Sequence, residues 1–187
     1  MAIRLNDKDY ASCFNRGVLY FNTGDLEKSK IDVQRALNIK PDYPLATSKL
    51  NQINELLKSI ENYNKNTTQS NYLSDYYNKI GVDFAMNNRM VKALNSFNLA
   101  IKYDTTNIRA FQNRGNTYAS LKEFENAKID LFHTIKMAPN EGEPYFNLAN
   151  ILHETGDVKT ACEYWKKALS LGVNDAQIML NRFCGNN

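Results

Sequence analysis

Histidine and cysteine, which are frequent in catalytic and metal-binding sites, are few in this chain, and their spacing argues against both roles. The two histidines, His133 and His153, belong to no His-Glu-x-x-His arrangement and stand near no cysteines at zinc-ligand spacing. The eight glycines form no phosphate-binding loop. We therefore expect no enzymatic activity, no cofactor and no bound metal.

Cys162 and Cys184 are the residues best placed for covalent chemistry. They stand at equal distances before and after Val173, which falls at a predicted turn between two helices. An antiparallel helical hairpin would set the two cysteines at the same height, as neighbours. They would then form a disulfide in an oxidising compartment or pack as two thiols, and the sequence leaves both open. Cys13 instead occupies a position that we predict to be part of the apolar core.

The overall composition argues against several classes of protein. The 23 basic and 20 acidic residues leave a net charge of +3, which is too small to require a nucleic acid or an anionic membrane as partner. No stretch approaches the ~18 apolar residues of a membrane-spanning helix. We expect a soluble chain of open localisation: cytoplasmic by default, and periplasmic or otherwise extracytoplasmic if a leader has been removed.

A small residue recurs in this chain at a constant interval. Gly81, Gly115 and Ala149 are equally spaced along the sequence. Each of these three small residues is followed, always at the same shorter distance, by an alanine: Ala93, Ala127 and Ala161. An earlier copy carries Gly17 and Ser29 at the same two positions. Small residues at paired positions are typical of two helices that cross at short distance. The elements that position every other side chain are therefore predicted to be helical hairpins.

This pattern resembles the tetratricopeptide repeat family, in which large, small and aromatic residues and a proline recur with a period of ~34 residues. The resemblance covers residues 10–43 and 74–175. It implies an all-α solenoid of helix-turn-helix units, stacked as a right-handed superhelix around a concave groove. The predicted units are 10–43, 74–107, 108–141 and 142–175, followed by a C-terminal capping helix over 174–183. Five aromatic residues are expected to pack between units: Tyr20, Phe84, Phe97, Tyr118 and Trp165.

The period breaks after the first unit, because Gly17 and Gly81 are closer together than two full repeat lengths. The intervening residues 43–63 are predicted to form one long amphipathic helix, since apolar residues recur there at steps of three and four. This helix either caps the first unit or seeks a second copy of the chain and forms a homodimer. Its apolar stripe consists of Ala46, Leu50, Ile53, Leu57 and Ile60.

These features predict two parts joined by a linker. An N-terminal part, 1–63, holds the first unit and the long helix. Residues 64–72 are polar and are predicted to form a mobile linker. A C-terminal part, 73–184, holds the other three units and the capping helix.

In the family that the chain resembles, the first helix of each unit lines the groove, and this places asparagines on the inner wall. Asn113 and Asn116 share one helical face, and Asn147 and Asn150 repeat them one period later. We call these four side chains the asparagine ladder. A carboxamide both donates and accepts hydrogen bonds, which suits the backbone of an extended peptide. Alternatively, the four residues are ordinary polar surface. Three flanking positions would add charge or hydrogen bonds: Arg109, Gln112 and Lys79.

The function that follows is a scaffold or adaptor that binds a peptide or protein in the groove. One alternative is a module for single-stranded RNA, although Asp75, Glu143 and Glu154 would oppose a nucleic acid on the inner wall. The other is self-assembly through helix 43–63. Members of the family that grip a chaperone's C-terminal carboxylate need lysine and arginine at positions where this chain has Asn78, Glu143 and Asn147, so we do not expect such a ligand.

Overall fold

The computed structural model describes residues 9–63 and 69–185, and within these ranges the chain is all-α, with no strand. This confirms the predicted fold class. The helices are, in chain order, α1 (Tyr10–Asn22), α2 (Leu26–Ile39), α3 (Pro44–Tyr63), α4 (Gln69–Met86), α5 (Met90–Tyr103), α6 (Ile108–Ser120), α7 (Phe124–Met137), α8 (Gly142–Glu154), α9 (Val158–Ser170) and α10 (Asp175–Phe183).

Within the described ranges, eight of these helices form four helical hairpins: α1/α2, α4/α5, α6/α7 and α8/α9. Each hairpin turns through one residue in the left-handed region, with φ of 80°, 56°, 61° and 92° at Gly24, Asn88, Lys122 and Gly156. The last three of these residues stand one repeat length apart, so the period sets the turns as well as the helices. Several helices are capped at their N-terminus by a side chain that accepts a hydrogen bond from a backbone N–H. The capping residues are Asp9, Asp25, Asn107 and Asp157.

The chain divides into two compact units, Met1–Leu73 and Ser74–Asn187. Of the predicted linker 64–72, residues 64–68 lie outside the described residues. Helix α4 begins at Gln69, so the remainder of that segment is helical and not a loop. The capping helix predicted over 174–183 corresponds to α10.

Within the first unit, the long helix α3 packs against α2. Ala46 and Ile53 are 0% exposed, and Leu56 and Ile60 are 3% exposed. The predicted stripe is therefore shifted at one position, because Leu56 is buried where Leu57 was expected, and Leu57 and Leu50 are only half-buried. These apolar residues are therefore covered by neighbouring parts of the same chain.

The paired helices approach closely at the small residues of the repeat. A Cβ added to Gly17 would lie 2.7 Å from Val33 Cγ2, and one added to Gly115 would lie 3.1 Å from Asp130 Cβ. Ser29 occupies the alanine position of the first unit and donates a hydrogen bond of 2.8 Å from its hydroxyl to the backbone oxygen of Gly17. The alanines at this position in the other three units are fully buried: Ala93, Ala127 and Ala161.

The aromatic residues expected between units differ in burial. Phe97 and Trp165 are 1% exposed, whereas Tyr20, Phe84 and Tyr118 are half-buried. A tyrosine at the edge of a hairpin can cover apolar atoms with its ring and keep its hydroxyl in water. The core of the second compact unit, Ser74–Asn187, is built around Trp165 together with small and aliphatic residues.

Two hairpins contain a buried ion pair between their helices. Arg114 of α6 donates from Nε and one terminal nitrogen to the two carboxylate oxygens of Asp130 on α7, both at 2.7 Å. Arg16 and Asp32 form the equivalent bidentate pair between α1 and α2, at 2.5 and 2.7 Å. Both aspartates are almost fully buried. The hydrogen bonds to Asp130 raise the pKa of the Arg114 guanidinium above its ordinary value.

Asp130→Ala should lower the free energy of unfolding by about 3 kcal/mol, because it leaves the half-buried Arg114 guanidinium without its carboxylate. The matched control is Glu125→Ala, which breaks the ion pair of the same helix with Lys128. That carboxylate is 84% exposed, so the control should cost about 0.5 kcal/mol or less. Chemical denaturation followed by circular dichroism measures both, and equal losses would contradict a special role for the buried pair.

At the C-terminal end, Cys162 of α9 and Cys184 after α10 lie side by side. Their Cα atoms are 5.8 Å apart, and their sulfur atoms form a disulfide that ties α10 to α9. Cys13 is buried in the first unit and takes no part in it. The aromatic ring of Phe183, next to Cys184, lies 4.1 Å from the ring of His153 on α8. The disulfide therefore holds the last aromatic residue of the chain against the core.

Thiol titration of the denatured, air-oxidised protein should give one thiol per chain, that of Cys13, and three after reduction. The two bonded cysteines are 22 residues apart, so reduction should lower the free energy of unfolding by about 3 kcal/mol, through the greater freedom of the unfolded chain. Cys184→Ser should unfold like the reduced wild type whether or not reductant is present. Three titratable thiols in the oxidised sample would show that the two cysteines remain thiols.

Candidate functional site

The carboxamides of the asparagine ladder are paired in the structure, and each pair joins two helices. Asn113 of α6 donates its side-chain N–H to Asn78 Oδ1 on α4, at 3.0 Å. Asn147 of α8 donates to Asn116 Oδ1 on α6, at 2.9 Å. Hydrogen bonds between the first helices of successive hairpins thus run along one face of the second unit.

Asn150, the fourth asparagine of the ladder, is bound by a side chain of α9, the second helix of its own hairpin. The indole N–H of Trp165 on α9 donates to Asn150 Oδ1 at 2.9 Å. Because an indole nitrogen can only donate, it must face the carboxamide oxygen, and the NH₂ group of Asn150 points to the other side. Trp165 also stacks on Phe183, with ring centroids 5.9 Å apart. The orientation of this ladder residue therefore depends on the buried aromatic cluster at the end of the chain.

These pairings leave defined hydrogen-bonding capacity on the ladder. Asn116 and Asn150 accept through their oxygens and keep both N–H donors for a further partner. Asn113 and Asn147 each donate one N–H and keep their carbonyl oxygens as acceptors. All four side chains are half-buried, so the exposed part of each remains accessible. Donors and acceptors of this kind match the N–H and C=O groups of an extended backbone.

A pocket of about 330 Å³ opens beside the C-terminal half of the ladder. Asn116, Asn147 and Asn150 are polar residues of its lining. Phe124 and Ile151 are apolar residues of the same lining, and Ile151 is almost fully buried. A volume near the lower end of ligand sites suits a single side chain.

The flanking residues of the sequence prediction lie on the same helices but do not join the hydrogen-bonded pairs. Gln112 is half-buried beside Asn113 on α6, whereas Arg109 of α6 and Lys79 of α4 are exposed. In the part of the chain that the structure describes, neither cation forms an ion pair or a hydrogen bond with the ladder. Their contribution is limited to a positive charge at the N-terminal side of this surface.

Sequence reasoning missed several residues of the site. Asn78 was considered only as a mismatch to a carboxylate-binding pattern, yet it accepts the hydrogen bond of Asn113. The position of Asn78, close to one repeat length before Asn113, could have indicated this contact. Residues separated by about one repeat in the sequence lie next to each other on the first helices of successive hairpins. Phe124 and Ile151, which line the pocket, carried no distinguishing spacing, whereas Glu154, which also lines it, had been expected on the inner wall.

Two further aromatic side chains of the second compact unit pack between helices. His133 of α7 is half-buried, with its ring centroid 4.1 Å from that of Phe111 on α6. Tyr77 of α4 is buried and stacks on Tyr103 of α5. Burial raises the pKa of Tyr77 above the usual range, so its hydroxyl stays neutral at physiological pH.

Residues 9–63 and 69–185 contain no group of three histidine, cysteine or acidic side chains arranged to hold a metal ion. No helix of the described segments combines the length and the hydropathy that crossing a bilayer requires.

A family model described as tetratricopeptide repeat matches residues 10–43, 108–141 and 142–171, which together make up just over half of the chain. The matched segments have the phase of the predicted units. The unit 74–107 is not among them, although α4 and α5 form a hairpin there.

Similar proteins share this architecture. The human tetratricopeptide repeat protein 6 is 28% identical over 190 residues; the match covers 97% of this chain but only 36% of that relative. The first such domain of Spaghetti (RPAP3), bound to the HSP90 peptide SRMEEVD, superposes with a TM-score of 0.59 at 16% identity, covering 61% of this chain and 92% of that one. A yeast Sti1 domain in an HSP90 complex has a TM-score of 0.53 at 21% identity, covering 90% and 64%. The two structural likenesses show the fold.

Asn150→Ala should lower the free energy of unfolding by about 1–2 kcal/mol, because the buried indole N–H of Trp165 loses its acceptor. The control is Asn126→Ala, an exposed asparagine of α7, which should change it by about 0.5 kcal/mol or less. The chain has one tryptophan, so denaturation followed by its fluorescence reports on this site directly. A cost for Asn150→Ala no larger than that of the control would show that the hydrogen bond is unimportant.

Proposed function

This chain belongs to the tetratricopeptide repeat family, and on that premise we propose that it binds an extended segment of another polypeptide along the asparagine ladder. The role is that of a non-enzymatic scaffold or adaptor. The observation that carries the proposal is the pairing of carboxamides across successive hairpins. This pairing orients donors and acceptors in advance and leaves one side of each available.

Preorganisation is the physical reason why such a surface binds. An asparagine on a bare helix loses rotamer freedom when it grips a ligand, and that loss weakens binding. Asn116 and Asn147 already hold one another at 2.9 Å, and Trp165 holds Asn150. Much of the ordering cost is therefore met during folding, and a peptide backbone meets groups that are already in place.

The chemistry of the ladder favours recognition of the backbone over recognition of a particular sequence. Carboxamides carry no net charge, so they discriminate little between side chains of a ligand but satisfy its N–H and C=O groups. Two of the similar structures are described as HSP90 complexes, one of them with the peptide SRMEEVD. This chain carries Asn78, Glu143 and Asn147 where a carboxylate-gripping groove needs cations. We therefore propose a ligand other than an acidic chaperone tail.

The chain spans about a third of the length of its human relative. The proposed function is accordingly that of a binding region, and a role as adaptor requires a second surface on the same polypeptide. The exposed faces of the second helices, such as α7 with Ile129 and Phe132, have the space for one.

The test is affinity capture from an extract of the native source, read by quantitative mass spectrometry. The wild type is compared with a triple variant, Asn113→Ala, Asn116→Ala and Asn147→Ala. Asn150 is left intact because it also supports Trp165. The matched control replaces three exposed asparagines on second helices and on the last helix: Asn38→Ala, Asn126→Ala and Asn181→Ala.

We expect the triple variant to retain its helical circular dichroism. The amount of each partner that it captures should fall about tenfold or more, since three hydrogen bonds to the ligand disappear. The control variant should capture the same partners as the wild type. Equal captures by all three proteins would move the binding surface away from the ladder.

A further inference from the structure

The pocket beside the ladder has a charge asymmetry that the ladder itself lacks. Glu154 lines the pocket and is the one ionisable group among the described residues that do so. It is exposed, and no cation of the described chain forms an ion pair with it. An exposed carboxylate that lines a pocket of mixed polarity and forms no ion pair is available to a charged group of a ligand.

The position of Glu154 strengthens its negative potential. It is the last residue of α8, at the end of the helix where the unsatisfied carbonyl groups carry partial negative charge. The exposed cations on the first helices, Arg109 and Lys79, belong to earlier turns of α6 and α4 and do not line the pocket. The field at this point therefore favours a positive ligand group.

The pocket also has an apolar lining. Ala119, Phe124 and Ile151 contribute hydrocarbon surface to it, beside the carboxamides that line the same pocket. A ligand group that matches this pocket needs an apolar stem to cover that surface and a positive head to reach Glu154. Lysine and arginine side chains combine these two properties, because their methylene stems bury easily while the charged end stays at the surface.

We propose that this pocket receives a lysine or arginine side chain of the bound peptide. The inference rests on the proposed function, since the asparagine ladder must hold the peptide backbone for a side chain to enter. Asn116 and Asn147 then bind the backbone at the rim, the stem lies against Phe124 and Ile151, and the charge pairs with the Glu154 carboxylate. A peptide with an acidic residue at that position is repelled.

The experiment uses a displayed library of random nonapeptides selected against the full chain. Four proteins are compared: wild type, Glu154→Gln, Glu143→Gln, and the double variant Asn116→Ala, Asn147→Ala. Glu143→Gln is the matched control, because it removes the same charge from the same helix but outside the pocket. Wild type and control should enrich peptides that share one lysine or arginine. Glu154→Gln should enrich peptides without that preference, and the double variant should enrich none.

A quantitative arm follows with the strongest selected peptide, its basic residue replaced by neutral citrulline for arginine or by norleucine for lysine. The replacement should weaken binding to the wild type and to Glu143→Gln by about two- to fivefold, as for an ion pair at the rim of an interface. It should leave binding to Glu154→Gln unchanged, and salt at about 0.5 M should reduce the difference.

The outcomes separate the two proposals. Wild-type peptides that depend on Asn116 and Asn147 but show no basic preference would overturn the basic subsite and leave the proposed function standing. Peptides that bind the double variant as well as the wild type, or a library with no enrichment at all, would overturn both.

Discussion

The structure depends on the short distance between the two helices of each hairpin. At Gly17 and Gly115 there is no room for a Cβ atom without moving a neighbour. A glycine within a helix costs about 1 kcal/mol relative to alanine. That cost is offset because the close approach buries Val33 and Leu131 on the facing helices, whose apolar surface is worth ~1.5–3 kcal/mol each. The hairpin turns, the ion pairs and the asparagine ladder all take their positions from this spacing.

Polar groups serve two distinct purposes in this framework, and burial separates them. The carboxylate of Asp130 is almost fully buried and both of its oxygens are bound by Arg114, so it stabilises the hairpin and has nothing left for a ligand. The carboxamides of Asn116 and Asn147 are only half-buried and bound on one side. Each of them joins two hairpins and still offers hydrogen bonds outward. The buried pair of Arg114 and Asp130 is therefore structural, whereas the half-buried pair of Asn116 and Asn147 has hydrogen-bonding groups left for a ligand.

In the function that we propose, the same division lets the groove combine tolerance with selectivity. Neutral carboxamides then recognise a peptide backbone whatever its side chains. Selectivity falls to charges and pockets along the surface, such as Glu154 with Phe124 and Ile151, which line the same pocket. Because that carboxylate is exposed, its contribution is modest and depends on salt. In our proposal, such a site adjusts the choice of ligand, while the ladder supplies most of the binding free energy.

Much of the fold was predictable from the sequence alone, because the signals are local. The regular recurrence of small residues placed all four hairpins, and the equal distances of Cys162 and Cys184 from Val173 indicated that they would be neighbours. The start of α4 at Gln69 was not predictable, since its first turn consists of polar residues typical of a linker. Likewise, the sequence analysis did not predict the ion pairs of Arg16 and Arg114, each of which binds an aspartate on the second helix of its own hairpin.

By itself, then, the sequence determined the helices, their pairing and the face on which the asparagines lie, because steric fit within a hairpin repeats with the chain. Only the tertiary structure decided that Asn113 bonds to Asn78, that Asn116 bonds to Asn147 and that Asn150 bonds to Trp165. Those partners lie on different helices, far apart along the chain. Which of them come within hydrogen-bonding distance depends on how the helices cross and how far apart the whole core holds them, and no local pattern encodes that distance.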